Sequence, residues 1–249
     1  MELFEIILLI GAGVIAGFIN TLAGSGSLLT LPLFMAFGLS APVANGTNRI
    51  GILLQSLVGV WSFKKLKILD FSTVLKIGIP SVIGSLAGAI IAVDLNDQVM
   101  KTTIGILLIL MFFLILIKPE RWLKTHEGNP PVPLWIQMII FFFVGLYGGF
   151  IQAGVGFFLL AALVLASGFD LIKANAVKLL MVLIYTPFSL VVFMINKQVD
   201  YKLGLIVAIG SMLGAWMGAR LSVKWGPGVV RIILLLVLLV ASVKLLGLF

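Results

Sequence analysis

Residues 20–29, NTLAGSGSLL, place asparagine, threonine, two serines and two glycines inside an otherwise apolar stretch. The run IILLIGAGVIAGFI precedes them, and the apolar sequence resumes as LTLPLFMAFGL. A related stretch, IQAGVGFF, occupies residues 151–158. Because glycine adopts backbone conformations that side chains disfavour, each stretch predicts a turn that interrupts a helix.

The chain around these two breaks has the composition of a membrane protein. It has 249 residues, of which 61% are hydrophobic and 10% charged, and its mean hydropathy is +1.26. Soluble domains contain about 25% charged residues. Apolar runs of about 20 residues recur along the whole length, as in membrane-spanning helices. The start, MELFEI, has no positive n-region, so we interpret it as part of a first membrane helix and not as a signal peptide. We therefore predict an all-α polytopic membrane protein.

Several classes of function are not expected. The chain contains no cysteine and a single histidine, His126, in a polar stretch, which excludes thiol chemistry and cysteine-ligated metals. Its net charge of +8 comes mostly from short loops, where basic residues set orientation and meet lipid headgroups, so nucleic acid is not an expected partner. No carboxylate or histidine falls in the middle of a predicted span. We expect no enzyme activity, no cofactor and no metal.

The sequence repeats itself at a shift of 130 residues. The matches include polar and charged residues as well as glycine, which favours duplication over coincidence. They predict two tandem homologous membrane halves, residues 1–117 and residues 134–249, joined by a polar cytoplasmic linker at residues 118–133. The aligned pairs include Gly24 with Gly154, Asn45 with Asn175, Asp70 with Asp200, Ser81 with Ser211, and Lys101 with Arg231.

Each half contains five apolar segments, and the second is too short to span a bilayer core of about 30 Å as a helix. If all five cross, each half has an odd number of spans and the two halves are inverted repeats. The alternative is eight full spans with two re-entrant segments. We favour the inverted form. The predicted segments are 3–20, 27–38, 42–62, 71–93 and 97–117, then 135–151, 157–167, 171–195, 202–220 and 229–247.

Loop charges give this arrangement an orientation. Cytoplasmic loops carry an excess of Lys and Arg, so the more basic face is predicted to be cytoplasmic and both termini to lie outside. That face carries Lys64, Lys65, Lys67, Lys118, Arg121, Lys124, Lys173, Arg220, Lys224 and Arg231, and the other face carries Lys101, Lys197, Lys202 and Lys244.

The paired breaks are the predicted binding site. Inverted-repeat transporters build sites near the midplane from discontinuous helices, and paired glycine-interrupted segments indicate them. The helices that follow the breaks are predicted to begin near Ser27 and Phe157 and to direct N-terminal N–H groups at an anion. Close helix packing alone is the interpretation for Gly84, Gly88, Gly214 and Gly218. The residues expected in the site are Asn20, Thr21, Gly24, Ser25, Gly26, Ser27, Gln152, Gly154, Gly156 and Phe157.

The third segment of each half adds an intramembrane cation, Arg49 in the first and Lys178 in the second. An ionisable residue inside a span costs a few kcal/mol and so indicates a functional site. Snorkelling to the interface is the alternative, and it suits Lys76, near a segment end, better. Two cations beside two helix N-termini predict a pocket for an oxyanion. The polar residues expected with them are Asn45, Asn48, Asn175 and Tyr185.

These stretches resemble a known family. GFINTLAGSGSLLTLPLF followed by ANGTNR, with GFIQAGVGFFLLAAL and ANAVK in the second half, is similar to the sulfite exporter TauE/SafE family, also called TSUP. The resemblance covers nearly the whole chain. It implies a multi-pass carrier in a bacterial or archaeal inner membrane for sulfur-containing anions such as sulfite, thiosulfate or sulfoacetate.

We therefore expect a secondary transporter that moves a small anion by alternating access, with the anion held at the broken-helix N-termini by Arg49 and Lys178. The alternatives are an anion channel with the same pocket and, less in keeping with the residues, a membrane-embedded enzyme subunit. The expected partners are the anionic substrate and the lipid bilayer. A homo-oligomer is compatible with the sequence, but nothing in it indicates one.

Overall fold

The computed structural model describes residues 1–65, 71–116 and 130–221. The last predicted segment, 229–247, and most of the linker lie outside the described residues. Among those described, the regular structure is helical, which confirms the all-α prediction, and the helix bounds agree with the predicted segments to within a few residues. The helices are α1 Leu3–Ala23, α2 Ser27–Ala36, α3 Ala41–Lys65, α4 Phe71–Val93, α5 Asp97–Leu116, α6 Leu134–Phe150, α7 Val155–Leu165, α8 Leu171–Ile195 and α9 Tyr201–Leu221.

Five of the described helices, α1, α4, α5, α8 and α9, are long and apolar enough to cross a membrane. At 25 residues α3 has the length as well, but its polar face sets it apart from these five. The other three are shorter, with 10 residues in α2, 17 in α6 and 11 in α7. The chain is therefore a multi-pass membrane protein.

The helices meet at two ends of the bundle. At the first, which we call the amino end, the Ala41 N–H donates to Asp97 Oδ1 (2.6 Å) and the Asp200 N–H donates to Thr47 Oγ1 (2.8 Å). The starts of α3, α5 and α9 therefore lie together. The end of α4 joins them, because only residues 94–96 separate it from α5. The opposite end, where α6 and α8 begin, is called the linker end.

In the second half, the short helix α7 turns back along α6. The Val132 N–H donates to the Ala166 carbonyl (2.9 Å), and Ser167 Oγ donates to Gln137 Oε1 (2.9 Å). The end of α7 therefore lies beside the start of α6, at the linker end.

In the first half, α2 turns back along α1. A Cβ added to Gly26 would lie 2.2 Å from the carbonyl oxygen of Ala16, whereas a continuous helix would separate these two residues by about 15 Å. Thr30 Oγ1 donates to Asn48 Oδ1, so α2 then runs beside α3 toward the amino end. Thus α2 is antiparallel to α1, as expected for either a re-entrant hairpin or a pair of crossing segments. Since a hairpin and two crossings return the chain to the same side, the predicted side of every later loop is unchanged.

The most extensive helix contacts join the two halves, with α1 along α9 and α4 along α6. Glycines allow the backbones to touch. A Cβ on Gly214 of α9 would lie 2.0 Å from the Val14 carbonyl oxygen, and one on Gly84 of α4 would lie 2.1 Å from that of Phe142. Gly88 and Gly218 face the same two partner helices. The prediction that these four glycines serve helix packing is confirmed.

The third helices of the two halves, α3 and α8, lie side by side and run in opposite directions. Arg49 Nη1 donates to Ser189 Oγ (2.8 Å), while a Cβ on Gly59 would lie 2.7 Å from Leu179 Cδ1. Residue numbers therefore increase along α3 in the direction in which they decrease along α8. This antiparallel pair carries both buried cations.

Candidate functional site

The two chain breaks touch each other inside the protein, and we call this contact the break junction. The Gly156 N–H donates to the Gly24 carbonyl (3.1 Å). A Cβ on Gly24 would lie 2.3 Å from Gly156 Cα, and one on Gly156 would lie 2.1 Å from Gly24 Cα. Gly24 also has a φ of +73°, in the left-handed region that side chains rarely adopt. Both positions therefore require glycine.

Polar groups near the junction support the turns. The Gly26 N–H, at the start of α2, donates to Asn20 Oδ1 (3.3 Å). In the second half, Tyr147 OH donates to the Ala153 carbonyl (2.6 Å). These bonds satisfy backbone groups that the broken helices leave unpaired in a region without bulk water.

Lys178 caps the interrupted end of α1. Its side chain is buried, and Nζ donates to the carbonyls of Asn20 (3.0 Å) and Thr21 (3.3 Å) and to Asn175 Oδ1 (2.6 Å). An ammonium group has three N–H donors, so all three are used. Asn20 and Thr21 belong to the last turn of α1, where the helix dipole is negative.

Arg49 caps the interrupted end of α6 in the same way. It is fully buried, and its guanidinium donates to the carbonyls of Gly148 (3.1 Å) and Gly149 (2.6 Å) as well as to Ser189. It also lies 4.4 Å from the centroid of the Phe193 ring. The capping is reciprocal, because α3 of the first half caps α6 of the second, and α8 of the second half caps α1 of the first.

The cations therefore bind helix C-termini, whereas the sequence predicted a pocket made of cations and helix N-termini. In this conformation the Gly156 N–H at the start of α7 is bonded to Gly24, and the Gly26 N–H at the start of α2 is bonded to Asn20. These two N–H groups, beside the predicted helix starts, are thus engaged within the protein.

A small cavity lies beside the Lys178 ammonium and the break junction. Its volume of about 10 Å³ admits about one water molecule. The cavity is lined by Asn20, Gly24, Ile52, Gln152, Val155, Gly156, Lys178, Leu179 and Val182.

Several buried polar atoms near the cations have no hydrogen-bond partner. Most buried polar groups are paired, so each unpaired one calls for an explanation such as a ligand. The Arg49 Nε is one of them, which leaves this cation with a donor that the helix cap does not use. The others with donor capacity are Ser25 Oγ, Asn48 Nδ2, Gln55 Nε2, Ser56 Oγ and Tyr185 OH.

The structure brings most predicted site residues together in two groups. The first surrounds the Lys178 ammonium and contains Asn20, Thr21, Gly24, Gln152, Gly156 and Asn175. The second lies at the end of α6, where Asn45 Nδ2 donates to the Phe150 carbonyl (2.8 Å) and Tyr185 OH approaches Gly148.

Other predicted residues are buried around these two groups. Asn48 accepts a hydrogen bond from Thr30. Phe157 belongs to an apolar cluster, and a Cβ on Gly154 would lie 2.7 Å from Met111 Sδ. Ser25, Gly26 and Ser27 are buried in the first break.

Two contributions were missed in the sequence. Gly148 and Gly149 act through their backbone carbonyls, and Thr30 acts as a partner of Asn48. The glycine pair directly before the second break was the available signal. Within the described part of the chain, no group of three or more His, Asp or Glu residues is arranged to hold a metal ion.

Interrupted helices in contact, with two buried cations and a small cavity beside Lys178, are features of membrane transporters with discontinuous helices. The comparisons identify the family. A family model, sulfite exporter TauE/SafE, matches residues 9–245, and the chain belongs to this family. It is a membrane transporter and not an enzyme.

Curated relatives carry transporter names. The protein named "Probable membrane transporter protein YfcA" from Escherichia coli (strain K12) is 31% identical over 93% of this chain and 86% of its own length. "Probable membrane transporter protein ORF9" from Sinorhizobium sp is 26% identical over 95% of this chain and 90% of its own. A "Probable membrane transporter protein" from Haemophilus influenzae is 26% identical over 88% and 86%. No solved structure matches the chain.

Proposed function

We propose that this protein is a secondary carrier for small sulfur-containing anions, such as sulfite, thiosulfate or sulfoacetate, in a bacterial inner membrane. The observation that supports an anionic substrate is the pair of buried cations. Among the described residues, every hydrogen-bond partner of Arg49 and Lys178 is a carbonyl, an amide oxygen or a hydroxyl, and none is a carboxylate. An anion would supply the missing negative charge. The sulfur comes from the family description alone.

Alternating access between inverted halves is the proposed mechanism. Three features support it. The helices α3 and α8 are antiparallel, α1 and α4 of the first half pack against α9 and α6 of the second, and the capping of the broken helices is reciprocal. Each half supplies one cation and one break. Motion of one half against the other would then expose the junction to each side of the membrane in turn.

Substrate binding is coupled to this motion by the occupied donors of Lys178. Because its three N–H groups are all bonded, an anion that binds Lys178 must replace the carbonyl of Asn20, the carbonyl of Thr21 or the amide of Asn175. Replacing either carbonyl releases the end of α1. The same end carries Gly24, so the hydrogen bond to Gly156 is strained or broken as the site fills.

Counterflow in proteoliposomes tests the carrier mechanism. Vesicles loaded with unlabelled sulfite should take up labelled sulfite faster than empty vesicles, because a carrier exchanges one bound anion for another. The uptake rates obtained with other internal anions rank the substrates. These anions are sulfate, thiosulfate, sulfoacetate and acetate. Uptake that ignores the internal anion would identify a channel, and vesicles without any anion flux would refute the proposal.

The orientation can be tested with single cysteines, since the chain has none of its own. Lys64 at the linker end and Gln98 at the amino end are both exposed. We expect Gln98→Cys to react with a membrane-impermeant maleimide in intact cells, and Lys64→Cys to react only after the membrane is permeabilised, because the linker end carries more Lys and Arg. The opposite labelling would invert the orientation.

A further inference from the structure

The two cations occupy a kind of position that many ion-coupled transporters give to a dissolved cation. In transporters with discontinuous helices, the C-terminal ends of half-helices and unwound carbonyls coordinate the coupling Na⁺ or H⁺. Here the corresponding carbonyls, at the interrupted ends of α1 and α6, bind side chains of the protein. Arg49 and Lys178 each bring one positive charge to such an end.

The ammonium of Lys178 fully occupies a group of three oxygen atoms, here called the oxygen cage. Three oxygens, from Asn20, Thr21 and Asn175, lie 2.6–3.3 Å from Nζ. The neighbouring cavity has room for about one water, so a second cation has no space beside the ammonium. Two positive charges at hydrogen-bond distances would also repel strongly in a medium of low dielectric constant.

We propose that Lys178, with Arg49 as its counterpart, is a built-in replacement for a coupling cation, so that the carrier moves its anion without Na⁺. The claim that transport needs no Na⁺ rests on the proposed function. The claim that Lys178 occupies a cation site at the end of α1 does not depend on it. In this arrangement the anion and the C-terminal carbonyls interact with the same fixed positive charge.

A direct consequence is that removal of the Lys178 side chain creates a cation site. Lys178→Ala removes the ammonium from three buried oxygens, of which the Asn20 carbonyl keeps its hydrogen bond from the Gly24 N–H. Buried acceptors that lose a donor favour a new partner. Oxygen ligands suit a hard cation such as Na⁺. Lys178→Met is the matched control, because its unbranched apolar side chain fills the same space without carrying a charge.

Thermal unfolding of the purified full-length protein tests this consequence without any need for transport. In NaCl compared with choline chloride, we expect no difference in the apparent Tm of the wild type or of Lys178→Met. For Lys178→Ala we expect NaCl to raise the apparent Tm by about 2–4 °C or more. A Na⁺-specific rise in the wild type would overturn the inference, as would a Lys178→Ala variant that folds and does not respond.

Counterflow then addresses transport. We expect wild-type exchange to be equal in NaCl and choline chloride. A requirement for Na⁺ would refute the inference while leaving the anion carrier intact. If no anion exchanges in either salt, the proposed function fails, and the unfolding experiment still decides whether Lys178 occupies a cation site. Should Lys178→Ala not fold, the wild-type comparison of the two salts decides alone.

Discussion

Replacing Gly24 by alanine is expected to cause the largest loss of folded protein among single changes in the site. The new Cβ would lie 2.3 Å from Gly156 Cα, and backbone atoms cannot move aside as a flexible side chain can. Overpacking costs about 1–3 kcal/mol, and a left-handed conformation costs a side chain about 1–2 kcal/mol more. Apparent Tm and the monodisperse fraction in size-exclusion chromatography measure the effect.

The reciprocal change, Gly156→Ala, tests the same contact from the other half, with its Cβ 2.1 Å from Gly24 Cα. Gly11→Ala is the matched control on α1, because a Cβ there meets no atom within 4 Å. Alanine in an exposed helix position is expected to be neutral or to stabilise by up to about 1 kcal/mol. An unchanged apparent Tm in both junction variants would show that the breaks do not touch.

Loss of either buried cation is the second large effect we expect. Arg49→Ala leaves the carbonyls of Gly148 and Gly149 buried and unpaired, at about 1–3 kcal/mol for each. Arg49→Lys should also destabilise, because one ammonium cannot reproduce the planar fork that reaches both carbonyls and Ser189.

Anion affinity separates a structural cap from a binding group. If the two cations hold the substrate, Arg49→Ala and Lys178→Ala weaken sulfite binding about tenfold or more, since a charge-assisted contact is worth about 1.5–3 kcal/mol. Isothermal calorimetry on folded, purified variants measures this. Lys76→Ala, at an exposed position on α4, should bind as the wild type does. Normal affinity in both cation variants would restrict their role to helix capping.

Sequence reasoning recovered the local features of this fold. Apolar run length predicted the helices, and the glycine pairs predicted breaks before Ser27 and Phe157, close to the observed helix starts at Ser27 and Val155. The helices and the breaks depend on residues that are close together in the chain, so they can be predicted from a single sequence. The polar faces that carry Arg49 and Lys178 followed from helical spacing for the same reason.

The partners of those side chains could not be obtained in this way. Periodicity shows which face of a helix is polar but not which end of another helix it meets. The sequence therefore grouped the cations with helix N-termini around an anion and did not predict that they cap helix C-termini. The contact between Gly24 and Gly156 joins residues far apart in sequence. The repeat aligned Gly24 with Gly154, which lies two residues before its actual partner, Gly156.

The packing of α1 against α9, which belongs to the other half, also affects the order in which the protein assembles during synthesis. Ile10 of α1 meets Gly210 of α9, where a Cβ would lie 2.0 Å from the Ile10 carbonyl oxygen. Ribosomes add about 5–20 residues per second, so roughly 10–40 s separate the synthesis of these two residues. During that interval the glycine face of α1 meets lipid, the translocation machinery or a neighbouring chain. Insertion and packing of the first helix are thus separate events in biosynthesis, and the second is delayed until most of the protein has been translated.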